Sequence, residues 1–324
     1  MKNSLLVILT FVLSLLTEYA IGQSSTYKSE FGFRSDNDAY LAYGQDRYYT
    51  NGLFITFRHA TDQRKLNKTV NKLIWEAEAG QKMYNPQSGY IPDVKFVDRP
   101  FAAYLYAGGS LNWHYNSENA LKVSLQAGTI GPSALGQDAQ TLLHDIAGFY
   151  TIEGWETQVK DEFGLNAKIQ FDKFLHRSKS NTVDFSVNTF ANIGNTFSGI
   201  GTGILFRAGI INPFYNSAIS NSRLSNNSAS KVAEEKESFF YAKPVLQYVA
   251  YDATTEGGLF TDDKGPITFD VKPLVFSQQL GYMFSKNRFT ADFSLIFKSR
   301  EIKSEAKAHQ YGSIALYYKF NSED

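Results

Sequence analysis

The sequence predicts an all-β protein: a 12-stranded antiparallel transmembrane β-barrel with a short α-helix in an extracellular loop. Three observations carry this expectation. A secretory leader opens the chain, and after it no apolar run reaches the roughly 18–20 residues of a spanning helix. Long segments instead alternate apolar and polar residues with a period of two. The residue budget suits strands in a membrane, with Phe 26 and Tyr 20 but no Cys.

Residues 1–22 read as a signal peptide. Lys2 gives a basic start, 5–16 is an apolar run, and Ala20-Ile21-Gly22 offers small residues before a cleavage point at Gln23. Residues 23–324 are then one barrel domain. In Phe289–Lys298, Phe289, Ala291, Phe293, Leu295 and Phe297 share one face, opposite Thr290, Asp292, Ser294 and Lys298. The same alternation runs through 120–128, 182–192 and 313–320. A soluble β-sandwich also alternates. The secreted context, the absence of Cys, the long strands and the Phe and Tyr at strand ends favour a barrel, whose apolar face meets lipid and whose closure leaves no edge unpaired.

The expected strands are 27–36, 49–59, 71–84, 101–116, 120–131, 157–175, 181–197, 201–211, 239–252, 271–284, 288–304 and 309–320. Their even number places both termini in the periplasm of an outer-membrane protein. Short inner turns are expected at 116–119, 176–180 and 285–287, and longer outer loops at 37–48, 85–100, 132–156 and 253–270. The outer loop at 305–308 is short, and the inner connection 211–238 reads as a flexible Ser/Asn-rich segment.

One outer loop breaks the period. Ala139, Leu142, Leu143, Ile146 and Ala147 recur at helical spacing, and Gly148 is placed to end the helix. The opposite stripe carries Gln137, Gln140, Thr141 and His144; Gln137 and His144 fall about 20° apart on the wheel. Spacing alone leaves two readings, a solvated face with an incidental His or a functional one. At the same rim lie Asp36, Asn37 and Asp38, then Asp46 to Gly52. With Leu53, Ile55 and Phe57 facing lipid, Thr50 and Gly52 fall on the lumen face with Phe54, Thr56 and Arg58. A loop rich in Asp and Asn can bind Ca²⁺ through oxygen ligands or simply be hydrated, and composition does not decide.

Composition excludes several functions. Lys+Arg and Asp+Glu are both 32, and a net charge of zero lacks the basic excess of a nucleic-acid binder. Without Cys there is no thiol nucleophile, Cys-type zinc site or iron–sulfur cluster.

Several segments together resemble one family. They are Asn37-Asp38, the string Asp46-Arg47-Tyr48-Tyr49-Thr50-Asn51-Gly52-Leu53, Asp98-Arg99-Pro100-Phe101-Ala102, and Gly131-Pro132-Ser133 onward through Gln140, His144, Gly148 and Gly154-Trp155-Glu156. These are similar to the outer-membrane lipid A 3′-O-deacylases. The resemblance implies a twelve-stranded barrel with its site at the outer rim and Ca²⁺-dependent cleavage of the ester that holds the 3′-acyloxyacyl chain of lipid A. It places the family's essential pair on Asn37 and Asp38, its Thr or Ser on Thr50, its catalytic His on His144, and a Gln one turn earlier on Gln140. Asn37, Asp38 and Thr50 are the implied surroundings of the metal. A family carboxylate six residues after the His is replaced here by Tyr150, with Glu153 and Glu156 the candidates to substitute for it. Lipopolysaccharide is the implied substrate, the surrounding lipids are the other partner, and a monomer is expected.

The residue types suit the chemistry. His is the natural base at neutral pH. No Gly-x-Ser-x-Gly elbow exists, and Ser133 in its helix-entry turn reads as a cap. Water activated by His144 is therefore preferred over an acyl-enzyme, with Ca²⁺ near Asn37, Asp38 and Thr50 stabilising the oxyanion. Arg47 and Lys160 are weaker candidates for holding a lipid phosphate. His59, His114, His176 and His309 lack a surrounding motif and read as interfacial. A phospholipase-type barrel is disfavoured because its His-x-Ser-Asn-Gly string is missing. A non-enzymatic structural or pore-type barrel of the same family is the alternative.

Overall fold

Alternation in the sequence becomes a closed sheet. The computed structural model describes residues 26–41, 47–88, 94–148, 152–226 and 236–322. The expected leader lies outside the described residues. The strands are β1 (Tyr27–Asn37), β2 (Tyr48–Ala60), β3 (Val70–Asn85), β4 (Ala102–Tyr115), β5 (Ala120–Ile130) and β6 (Glu162–Arg177). They continue with β7 (Val183–Gly194), β8 (Phe197–Ile210), β9 (Lys236–Asp252), β10 (Leu274–Lys286), β11 (Phe289–Lys298) and β12 (His309–Ser322). Each pairs antiparallel with its sequence neighbours, and β1 pairs with β12 to close the barrel. All twelve expected strands are present, and every backbone ladder finds a partner without an edge.

The bounds move where loops take backbone pairing away from strands. Trp155–Thr157 forms a 3₁₀ turn, and the Val159 and Lys160 amides donate to Phe101 and Lys264 carbonyls, so β6 starts only at Glu162. β11 ends at Lys298 because Ile302 bridges to Val271 instead. The last outer loop is therefore 299–308, longer than expected. The tight outer turn is 195–196, between β7 and β8. The inner turns use left-handed residues at Glu118, Asn181 and Asn287, a conformation that Asn tolerates well.

Outward positions are exposed and apolar, including Phe31, Phe33, Leu125, Ile169, Phe276 and Phe293. Lumen positions are buried and largely polar. Arg58 bridges Glu30 (2.7 Å) and Glu76, and Lys122 reaches Glu76 at 2.6 Å. Arg207 meets Asp184 (2.6 Å) and Ser217 Oγ (2.7 Å). Ion pairs of this kind offset part of the cost of burying charge.

The inner connection after β8 overturns the expectation of a flexible segment over its described part. Residues 211–226 fold into the inner mouth. Asn212, Phe214, Ser217, Ser222 and Leu224 are buried. Lys72 of β3 donates to Asn216 and to the Ser222 carbonyl (2.7 Å), and Glu237 accepts from the Asn212 and Ala218 amides. Leu224 packs with Tyr27, Ala60 and Ile74 on the far side. At the outer mouth, Arg99 donates to the carbonyl and hydroxyl of Thr254 and lies over the Tyr84 ring. Burial pulls the Arg99 guanidinium below its ordinary value, while Asp252 opposes this. Glu162 accepts from the 259, 260 and 261 amides, pinning that outer loop down.

Candidate active site

The helix expected in the third outer loop is present as α1 (Gly136–Ala147), and Gly148 caps it in the left-handed conformation with its amide on the His144 carbonyl. Gly131 (φ +84°) and Leu135 (φ +55°) turn the chain into it. Ser133 does not cap. Its side chain is exposed and its backbone amide donates to Asp161, while Leu135 holds the cap position.

α1 lies against the outside of the barrel wall. Side chains alternate on β3 and β4, so buried Glu76 and Ser110 mark the lumen face and Gln81, Met83, Ala103 and Leu105 point outward. Met83 and Ala103 are nevertheless fully buried, because Phe101, Ala134 and Trp155 pack on them together with Ala139 and Leu143 of α1. Gln81 donates to the Ala134 carbonyl at 2.6 Å. Gly136 permits the close approach: a Cβ there would lie 2.5 Å from Ala103 Cβ and 2.5 Å from the Trp155 ring.

The buried face of α1 carries Gly136, Gln140 and His144 beside Ala139 and Leu143. Gln140 and His144 are one turn apart and both buried, and Gln140 Oε1 accepts from Trp155 Nε1 at 3.0 Å. Exposure departs from the simple two-face picture: Gln137, although close to His144 on the wheel, is exposed, as are Thr141 and, on the expected apolar stripe, Leu142 and Ile146. The wall contributes its own apolar surface through Met83, Ala103 and Trp155, so the helix docks with a mixed face.

The same outward row continues to the rim residues. The ladders pair Asn37 with Asn51, Asn51 with Met83, and Met83 with Ala103. Asn37 and Asn51 thus stand on the outward row that continues to Met83 and Ala103, on which α1 packs. Just beyond β1, Asp38 is buried; one oxygen accepts from the Arg47 amide (2.9 Å) and the other from the Thr50 hydroxyl (3.3 Å). Asn37 Oδ1 accepts from the Ala39 amide at 2.7 Å. Thr50 is not a lumen-face residue as expected. A bulge between Tyr49 and Asn51 leaves Thr50 as the extra residue, and Tyr49 takes the lumen position with its hydroxyl on Asp36. Tyr48, just before the bulge, holds φ +61°, a strained value for a bulky residue.

Asn37, Asp38 and Thr50 are brought together, and Gln140 and His144 form the second group on the covering helix. Among the described residues no three His, Cys, Asp or Glu side chains gather as a metal cage. The donors at the rim are oxygens: the Asp38 carboxylate, the Asn37 amide and the Thr50 hydroxyl. Asn51 adds another, because its Oδ1 is buried without a hydrogen-bond partner. A hard-oxygen set with one carboxylate suits Ca²⁺ rather than a transition metal. Neither Asn51 nor Trp155 carries a role in the expectation from sequence. Their signals were the position of Asn51 beside Thr50 and a Gly-Trp pair next to the helix.

The other candidates show no side-chain contact with the Asp38–Thr50 group among the described residues. Glu153 and Glu156 are exposed, and Tyr150 lies outside the described residues. Lys160 faces Asp263 at 3.9 Å, and Arg47 lies over the Tyr48 ring. His59 bonds Ser29 and His176 is exposed. His114 and His309 are not interfacial: the first is buried in the lumen, and the second is buried against the Tyr48 ring.

The family model described as outer membrane protein LpxR matches residues 5–320. Among solved structures, the chain is similar to LpxR from Salmonella typhimurium, at 22% identity and a TM-score of 0.72, covering 90% of this chain and 100% of that one. It is more distantly similar to the β-domain of the Bordetella autotransporter BrkA, at 9% identity and a TM-score of 0.49, covering 91% and 100%. No match was found among curated proteins.

Proposed function

Because the chain belongs to the LpxR family of outer-membrane proteins, the lipid A 3′-O-deacylase family, we propose that it hydrolyses the ester holding the 3′-acyloxyacyl chain of lipid A. The observation that supports the reading is the burial of Gln140 and His144 on a helix whose Ala139 and Leu143 pack on Met83 and Ala103, the outward row that the ladders continue to Asn51 and Asn37. Polar groups gathered on the lipid side of a barrel suit a substrate that lives in the bilayer.

In this reading His144 accepts a proton from water as the water oxygen attacks the ester carbonyl carbon. The tetrahedral oxyanion collapses, the bond to the sugar 3′ oxygen breaks, and His144 returns the proton to that oxygen. The products are a carboxylic acid and a free sugar hydroxyl. Gln140, held by Trp155 Nε1, orients the polar face of the helix. Asn37, Asp38, Thr50 and Asn51 would hold Ca²⁺, which when bound supplies a positive charge for the oxyanion and for a lipid phosphate. The Arg47 amide and the Thr50 hydroxyl fix the Asp38 carboxylate in place.

The alternative, a non-enzymatic structural or pore-type barrel, rests on Tyr150 standing where the family has a carboxylate. Against a wide pore stands the lumen, which carries ion pairs and is crossed at its inner mouth by the packed segment 211–226. Mass spectrometry of lipid A from cells with and without the chain decides between them. Loss of the 3′-acyloxyacyl chain is expected, and unchanged lipid A would reject the deacylase.

A further inference from the structure

α1 has three faces rather than two. With Gln140 as reference and 100° per residue, the buried positions Gly136, Gln140, Leu143 and His144 span about 100° of the wheel. Leu142 and Ile146 lie about 120–160° away on one side, and Thr141 and Asp145 about 100–140° away on the other. All four of these are exposed, Leu142 at 60% and Ile146 at 77%. Leu135, just before the helix, is exposed as well. One flank of a wall-mounted helix is therefore apolar and the opposite flank is polar. In water the apolar flank would be a liability, whereas an interfacial helix is built in this way.

The ladder places the helix against the barrel's lipid-facing surface. Leu105, which packs in the cluster with Ala139 and Leu143, pairs with Thr129, and Thr129 pairs with Phe163. Phe163 points outward and is 66% exposed, with Leu165 beyond it. The apolar lipid-facing band of the barrel thus reaches the rung on which α1 rests.

We propose that α1 is seated in the outer-leaflet interface, with Leu142 and Ile146 immersed among acyl chains and Gln137, Thr141 and Asp145 in the headgroup layer. The helix is then an interfacial anchor as well as a cover. It holds the cleft of His144 at the depth where acyl chains join their headgroups. The inference rests on the placement of the barrel in the membrane and not on the chemistry at His144, so a chain without deacylase activity would give the same result.

The chain contains no Cys, so a single substitution creates the sole thiol. Leu142→Cys, Ile146→Cys, Thr141→Cys and Asp145→Cys, each labelled with bimane, are folded into bilayers of plain or chain-brominated phospholipid. The folded fraction is selected by heat-modifiable migration. Labels at 142 and 146 should lose emission to brominated chains and be spared by aqueous iodide. Labels at 141 and 145 should show the reverse. Iodide quenching at 142 and 146 would overturn the proposal in favour of a solvated helix. Protection of both from both quenchers would overturn it in favour of a protein partner.

Discussion

Gly136→Ala isolates the docking of α1 from the folding of the barrel. The added Cβ would sit 2.5 Å from Ala103 Cβ and 2.5 Å from the Trp155 ring. Carbon atoms prefer about 3.5–4.0 Å, so each contact is short by about 1 Å or more. Ala103 is fixed in β4, and Trp155 is held by Phe101 (ring centroids 5.0 Å) and by its bond to Gln140. The helix must give way. Overpacking of this kind costs roughly 1–3 kcal/mol, borne locally because the sheet is closed without α1. A misplacement of 1 Å in a catalytic group can cost about 10²-fold, and Gln140 and His144 ride on this helix. The assay is release of the 3′-acyloxyacyl chain from purified lipid A by folded protein with Ca²⁺. The turnover rate should fall by about 10²-fold with heat-modifiable migration unchanged. Gly109→Ala is the control, since its Cβ would meet only the Glu76 carbonyl at an ordinary 3.6 Å. Wild-type turnover by folded Gly136→Ala, or an equal loss in Gly109→Ala, would refute the reasoning.

Other outcomes follow from the same geometry. His144→Ala should lose roughly 10²–10⁴-fold in rate, Asp38→Ala a comparable factor, and the double variant little more, because the groups act as a unit; additive losses in the same assay would contradict a shared site. Ser133→Ala should retain near wild-type rate, since that residue engages Asp161 through its backbone amide; an inactive Ser133→Ala beside an active His144→Ala would point to a serine nucleophile. Chelation should abolish turnover and Ca²⁺ restore it better than Mg²⁺, which demands stricter octahedral geometry; full activity in excess chelator would remove the metal. Glu237→Ala strips the acceptor from the Asn212 and Ala218 amides and from Ser217 and Arg223. Breaking such a buried cluster should destabilise by about 3–5 kcal/mol, read as a lowered melting temperature and, in planar bilayers, as conductance that the parent lacks; unchanged melting and silence would deny the segment its closing role.

The barrel was legible because lipid enforces the pattern. A strand with lipid outside and a polar lumen inside must alternate, as β11 does from Phe289 to Lys298, and closure makes every strand obligatory. The site was legible in its residues but not in its facing. Thr50 was assigned to the lumen by counting back from Leu53, and the bulge at Tyr49–Asn51, which the count cannot reveal, removes it from that row. The helix is legible in sequence, yet of its apolar stripe Ala139 and Leu143 pack on the wall while Leu142 and Ile146 are exposed. Amphipathicity reports what a helix avoids in water, while α1 has a protein wall on one side and two unlike surroundings on its flanks. The inner connection misled because Ser and Asn usually mark solvated loops, whereas Ser217 and Ser222 satisfy buried backbone groups and charges in the barrel mouth.

The segment 211–226 also constrains how the molecule is assembled. It leaves β8, crosses the inner mouth, and ends against strands from the start of the chain: Leu224 on Tyr27, Ala60 and Ile74, and the Ser225 amide on the Tyr27 carbonyl. These contacts span long sequence separations and can form only once the sheet has curled far enough to bring β1 to β3 opposite β8. Docking it is therefore a late event, ordered by loop-closure entropy as non-local contacts generally are. Once in place it acts as a cross-brace, resisting flattening of the barrel's cross-section at the end opposite α1.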